Sequence, residues 1–440
     1  MSRKIQILLL IILAYVPVSA QRNCGQQAML QYIETQQPGS IQKVMDEKSN
    51  AFSLYENYVA NNVQSKNTSK TSAQSIIIPV VFQIVLDSNQ FKQLGGTEGI
   101  KDRVTTQMRV INEDFNGKNP DKVKVPAVWE SVFGNVNISF GLARVAPNGD
   151  SSQGYNIKIV PNGTSYSADN AGKLAKFSTS GGLDAWDNTK YFNIWIVNLK
   201  TSGSTALGIT VPPGFPAFTK PELGISLNYL AFGARTSAGQ SFINKFDKGR
   251  TLTHEIGHYF YLWHTWGDDG GLCPDNGGSD DGFSDTPPEA DASTGAPRFP
   301  RFDACSPSGN GIMFMNYMDY SDDTALFMFT RQQAAMVNSQ LAAGGQSYSL
   351  TLHPELIDIE FKETGIKVFP NPTQGILYIK YDEVDNPLQR IIVYNMLGQK
   401  IIETTEQGIK SIDMSFWSKG IYFVHLYFNK EIIKQKISLQ

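Results

Sequence analysis

Thr253-His254-Glu255-Ile256-Gly257-His258, followed by His264, is the stretch on which the reading of this chain turns. Two imidazoles four residues apart lie on one face of a helix about one turn apart, close enough to bind one cation. Glu255 sits beside the first of them. His264 supplies a third imidazole if the helix ends after His258 and the chain turns back. A catalytic zinc takes three protein ligands and keeps a fourth position for water, and a carboxylate that does not bind the metal can take that water's proton. The competing reading is a surface-displayed binding protein with a structural zinc, which would need four protein ligands and has no use for Glu255. Of the five histidines only His353 and His425 lie elsewhere, so no second histidine cluster competes.

Outward from this helix the pattern is that of a mixed α/β domain. Ile76 to Leu86 is a short apolar run rich in Val and Ile, interrupted by Pro79, which suits a buried strand. Val104, Met108, Ile111 and Phe115 fall on one helical face. Strand-like runs follow at Val136 to Leu142, Tyr191 to Val197, Leu207 to Val211 and Ile225 to Leu230. From Thr265 to about Ser308 the composition turns to Gly, Asp, Pro and Ser, a stretch that is costly to order without ions or a disulfide. After about Gly345 a second unit begins. There Tyr422, Val424, Leu426 and Phe428 alternate with the opposite face, as do Ile433, Gln435, Ile437 and Leu439, and a small all-β sandwich is expected.

The N-terminus carries Arg3 and Lys4, an apolar run from Ile7 to Val16 and the small residues Val18-Ser19-Ala20, the pattern of a signal peptide cleaved after Ala20. Ten apolar residues rise only about 15 Å, half a bilayer core, and no other stretch is suited to span a membrane. Residues 21–72 are polar, with helical stretches around Ala28 to Glu34 and Ala51 to Ala60 and a Ser/Lys/Thr/Asn-rich end, as expected of a prosegment and a cleavable linker. The expected organisation is signal peptide 1–20, prosegment 21–72, the histidine-bearing α/β domain 73–345, linker 346–363 and β-sandwich domain 364–440. With 440 residues, two or more folded units are expected; a net charge of −3 and 18% charged residues give no footprint for nucleic acid or an anionic membrane. The three cysteines, Cys24, Cys273 and Cys305, enter an oxidising compartment, where two can pair and one is left over.

Several pieces together resemble the pappalysin family of metzincin peptidases: Gly249-Arg250-Thr251-Leu252 before the histidines, His264-Thr265-Trp266-Gly267-Asp268 after them, Asp281 to Pro287, Asn316-Tyr317-Met318-Asp319-Tyr320, and Phe329-Thr330 with Gln333. The resemblance runs from about Ile76 to Ala342. It implies a metzincin fold, a twisted mixed sheet over an active-site helix, and a secreted zinc metalloendopeptidase that cleaves proteins or peptides with Glu255 as general base. Met318 then corresponds to the Met-turn beneath the zinc, and Tyr320 to a tyrosine that can donate to the oxyanion. The resemblance further implies structural calcium at Asp281, the Phe283 carbonyl, Asp285 and Thr286. Ala325 stands where relatives often carry a cysteine, which leaves Cys273 and Cys305 as the pair. Asp322 and Asp323 follow the Met-turn and could favour basic residues after the scissile bond. One departure is Tyr261, where most metzincins have the glycine that lets the helix end in a left-handed turn.

The leftover Cys24 can fill the open zinc position as a thiolate, the arrangement of a cysteine-switch zymogen, until cleavage between about Asn61 and Ser75. The last unit, from about Ile366, resembles the C-terminal sorting domain of type IX secretion: Val368-Phe369-Pro370-Asn371-Pro372, Tyr394 to Gln399 and Lys419-Gly420-Ile421-Tyr422. That resemblance implies contact with the type IX machinery and export across an outer membrane of the Bacteroidetes kind, ending in release or attachment to the cell surface.

Overall fold

The computed structural model describes residues 24–65, 76–201, 204–268, 271–274, 280–357, 367–381, 387–405, 408–429 and 432–440. The expected signal peptide and most of the expected cleavable linker lie outside the described residues. The chain divides into two compact units, Met1–Ile357 and Asp358–Gln440.

The first unit opens with two helices in the stretch expected to be a prosegment, α1 (Gln26–Gln36) and α2 (Ser40–Ser65). Strand β1 (Ile76–Asp87) leads into helix α3 (Gly96–Phe115), and β2 (Ile138–Leu142), β3 (Tyr155–Val160), β4 (Phe192–Val197), β5 (Gly208–Val211) and β6 (Gly224–Asn228) follow. They form a 6-stranded sheet in which β1 lies centrally, β2 and β3 share one of its edges end to end, and β4, β6 and β5 continue from the other. All pairings are parallel except that of β5 with β6, which makes β5 an antiparallel edge strand. The sheet is mixed, as expected.

Alternation along the strands fills two layers. Phe82, Ile84, Phe192, Ile194, Ile196, Ile225 and Leu227 pack with Val104, Ile111 and Phe115 of α3 and with Leu252 and Ile256 of the histidine helix α4 (Arg250–Tyr259). Val85, Trp195 and Val197 face the other way, toward Met29 and Ile33 of α1. Covered on both faces, the central strands β1 and β4 are predominantly apolar, whereas β3 at the edge is half exposed. Helix α5 (Arg331–Leu341) starts on a Thr330–Gln333 capping box and packs against α2. Residues 346–357, expected in the linker, instead finish this unit: Arg144 N donates to Leu356 O at 2.8 Å, and Ile357 fills the space above Gly141.

The second unit is all antiparallel. A 3-stranded sheet joins β7 (Lys367–Phe369), β8 (Ile376–Lys380) and β11 (Ser411–Asp413); a 4-stranded sheet runs in the order β10 (Lys400–Thr404), β9 (Leu388–Asn395), β12 (Gly420–Phe428), β13 (Ile432–Leu439). Leu377, Ile379 and Ile412 of one sheet and Ile391, Val393, Val424, Leu426 and Ile437 of the other share one buried cluster, as in a sandwich.

Candidate active site

Helix α4 turns Leu252, Ile256 and Tyr259 into the core, and the same 3.6-residue period places His254 and His258 together on another face. The helix then stops abruptly. Leu262 N donates to Gly257 O and Tyr261 N to His258 O, both at 3.0 Å, which is the Schellman pairing of a C-terminus. That pairing needs a left-handed residue, and Tyr261 supplies it with φ of 65°. The departure from glycine leaves the turn intact because Tyr261 is buried and its hydroxyl donates to the Pro213 carbonyl.

The turn brings His264 back beside the helix. Nε2 of His258 lies 3.1 Å from Nε2 of both His254 and His264, and those of His254 and His264 are 3.3 Å apart. Three nitrogens bound to one tetrahedral zinc at about 2.0–2.1 Å stand about 3.3–3.4 Å from each other, so the triad fits that ion. Each ring has its other nitrogen occupied: His254 Nδ1 meets Tyr317 O at 2.7 Å, His258 Nδ1 meets Leu262 O at 2.8 Å, and His264 Nδ1 meets Asp268 Oδ2 at 2.6 Å. All three imidazoles therefore aim Nε2 at a common point.

Glu255 is buried, and Thr210 Oγ1 donates to its Oε2 at 2.7 Å. Its Oε1 lies against Gly208, where a Cβ would come within 2.5 Å, so a residue without a side chain on the edge strand makes room for the carboxylate. Met318 lies beneath the helix: a Cβ at Gly257 would fall 2.4 Å from its sulfur. Tyr320 places its ring 4.9 Å from that of His264 and 5.8 Å from that of His254. Trp266 stacks on His264 at 4.3 Å.

Cys24 reaches the same point. Its sulfur and the three histidine nitrogens all lie within 4.8 Å of one another. Gly25 N donates to Gly208 O at 3.0 Å, fastening the prosegment to the edge strand. Burial, and next the Glu255 carboxylate, push the Cys24 thiol well up from its ordinary range. Helix α2 extends the cover, with Phe52 and Tyr55 packed 5.4 Å and 5.7 Å from the Phe283 ring.

Cys273 and Cys305 are disulfide-bonded. In the acidic loop, Thr286 Oγ1 lies 2.6 Å from Asp281 Oδ1 and 2.9 Å from the Phe283 carbonyl. Burial raises the Asp281 carboxyl to about 7. Asp285 accepts from Gln332 N at 2.9 Å on Oδ2, and its Oδ1 is buried. Asp322 and Asp323 are otherwise engaged: Asp322 pairs with Lys245 at 3.4 Å and Asp323 accepts from Lys248 N at 2.8 Å, so neither is set up to read a substrate.

Sequence reasoning did not find Asp268, Thr210, Gly208 or Asp114. Asp114 is buried in α3 and accepts from Thr253 Oγ1 at 2.7 Å and Tyr317 Oη at 2.6 Å. Burial, opposed by Arg250, raises its carboxyl to about 6. Only Asp268, four residues from His264, carried a local signal.

Residues 180–342 match the peptidase M43 family described as pregnancy-associated plasma protein-A, and residues 367–440 match a secretion system C-terminal sorting domain. An extracellular metalloprotease of Arthroderma benhamiae is 26% identical over 296 residues, 66% of this chain and 81% of that protein. Mature mirolysin of Tannerella forsythia, solved with a cleaved peptide, is 34% identical with a TM-score of 0.58, covering 65% of this chain and 99% of mirolysin. The chain belongs to the M43, or pappalysin, family. It is a metalloendopeptidase, and its sorting domain marks it for secretion or cell-surface attachment. The match to a promirolysin variant, 30% identical with a TM-score of 0.63, covers more of this chain, 76%, and 99% of that protein, as befits a zymogen with its prosegment in place. Among the described residues no helix is long and apolar enough to cross a membrane.

Proposed function

We propose that this M43 peptidase hydrolyses peptide bonds at a zinc ion held by His254, His258 and His264, with Glu255 as general base. The observation that carries the reading is the convergence of three Nε2 atoms at 3.1–3.3 Å beside a buried carboxylate. Bound there, zinc supplies Lewis acidity that polarises the substrate carbonyl and acidifies water. Glu255 takes the water's proton and passes it to the leaving amine. Thr210 holds one carboxylate oxygen and so fixes where the other points. The Tyr320 hydroxyl donates to the oxyanion as it forms. Proteins and peptides are the substrates, and the sorting domain engages the type IX secretion machinery.

Cys24 keeps the precursor silent by taking the position that water needs. A buried thiol beside a carboxylate ionises poorly on its own, and a cation at the histidines would reverse that balance. Calcium belongs in the loop of Asp281, Phe283, Asp285 and Thr286, where a buried carboxyl, a half-buried one and a carbonyl oxygen suit a hard cation.

Replacing Glu255 by Gln tests the central claim. Zinc content by mass spectrometry should be retained while casein cleavage falls by at least about 100-fold, the scale of general-base catalysis. A Glu255→Gln enzyme that still cleaves casein at the normal rate would falsify the assignment.

A further inference from the structure

We infer that Asp268 is the positioning residue for His264, fixing the ring orientation and tautomer of the third zinc ligand; this rests on the zinc reading above. His254 and His258 share one helix, and each has its Nδ1 held by a backbone carbonyl. His264 has neither support. It lies past the helix end in irregular chain, and its Nδ1 is held by a side chain, Asp268 Oδ2, at 2.6 Å. Stacking on Trp266 at 4.3 Å and 5° sets the plane of the His264 ring, but a half-turn within that plane's normal packing would exchange Nδ1 for carbon. The carboxylate selects one of the two orientations. Because an ionised carboxylate only accepts, Nδ1 must carry the proton, and the Nε2 lone pair is left facing His254 and His258.

Two further observations single out Asp268. Its backbone has φ of 61°, in the left-handed region that aspartate enters more readily than most side-chain-bearing residues, and from there its carboxylate meets His264 Nδ1 at 2.6 Å. The prosegment uses the other oxygen, with Gln27 Nε2 donating to Asp268 Oδ1 at 3.3 Å, so the precursor grips the group that orients the ligand.

The test uses the full chain carrying Glu255→Gln to prevent self-cleavage. Asp268→Gly removes the carboxylate while tolerating positive φ, and Asp268→Asn keeps an acceptor oxygen without the charge. Zinc affinity is read by competition with a chromophoric chelator, and the site geometry by the absorption spectrum of the cobalt-loaded protein. Asp268→Gly should weaken zinc binding by about 10- to 100-fold and shift the cobalt spectrum, Asp268→Asn should do so less, and metal-free melting should be unchanged in both. Unchanged zinc affinity in Asp268→Gly overturns the inference. So does a loss of affinity matched by an equal loss of metal-free stability in both variants, which is the mark of a packing role. Failure of the Glu255→Gln parent itself to bind zinc would instead sink the zinc reading.

Discussion

Glycine at position 261 should destabilise this enzyme, although glycine is the residue a left-handed helix end ordinarily prefers. At φ of 65° Tyr261 carries a backbone penalty of about 1–2 kcal/mol, which Tyr261→Gly would remove. Against that stands the side chain. Tyr261 is only 3% exposed within the main core, and truncating a buried aromatic costs about 3–5 kcal/mol. Its hydroxyl donates to the Pro213 carbonyl and lies 3.1 Å from Gln346 Oε1, a contact worth about 1 kcal/mol. The balance is a loss of about 2–5 kcal/mol, or roughly 3–7 °C in melting temperature for a unit of more than about 300 residues. Tyr261→Phe isolates the hydroxyl and should cost about 1 kcal/mol. Thermal unfolding of the zinc-loaded full chain, with Glu255→Gln to suppress self-cleavage, gives both numbers. A Tyr261→Gly protein more stable than its parent would show that strain, and not packing, governs this turn.

Cys24→Ala should yield a precursor that cleaves casein before any processing; a precursor as silent as the natural one would remove the switch. Gly208→Ala should lower kcat/KM by about 100-fold with little change in melting, because the new Cβ displaces the Glu255 carboxylate by up to about an ångström; full activity would mean the carboxylate has room to spare. Without calcium, stability should fall as pH rises from about 4 through 7: the folded Asp281 carboxyl sits at about 7, above its ordinary 3.8, so the folded state favours its proton. Excess calcium should abolish that fall, and melting curves across pH 5–8 that are unmoved by calcium would speak against the site.

The sequence exposed what is local. The three proposed ligands and the proposed base lie within the eleven residues from His254 to His264, so helical spacing alone brought two rings together. The β-sandwich strands betrayed themselves by alternation. What escaped notice depends on distant chain. Thr210 reaches Glu255 across 45 residues only because β5 turns antiparallel at the sheet edge. Strand β3, half exposed on one edge of β1, lacks the apolar run that marked its neighbours. Residues 346–357 read as linker because their anchor, the space over Gly141, is two hundred positions away. Helix α2 is longer than its polar sequence suggested, since it buries little besides Val44 and Ala51.

Asp114 shows how such remote contacts make the local motif work. From α3 it accepts from Thr253, next to His254, and from the Tyr317 hydroxyl, while the Tyr317 carbonyl holds His254 Nδ1. Helix α4, the Tyr317–Met318 segment and α3 are thereby tied at one buried carboxyl, with the Met318 sulfur against Gly257. The motif names the ligands, but their common aim comes from groups outside it: carbonyls of Tyr317 and Leu262 for two rings and the Asp268 carboxylate for the third. A His-Glu-x-x-His pattern on a helix without these three acceptors would present its imidazoles in either tautomer and would not gather a metal tightly.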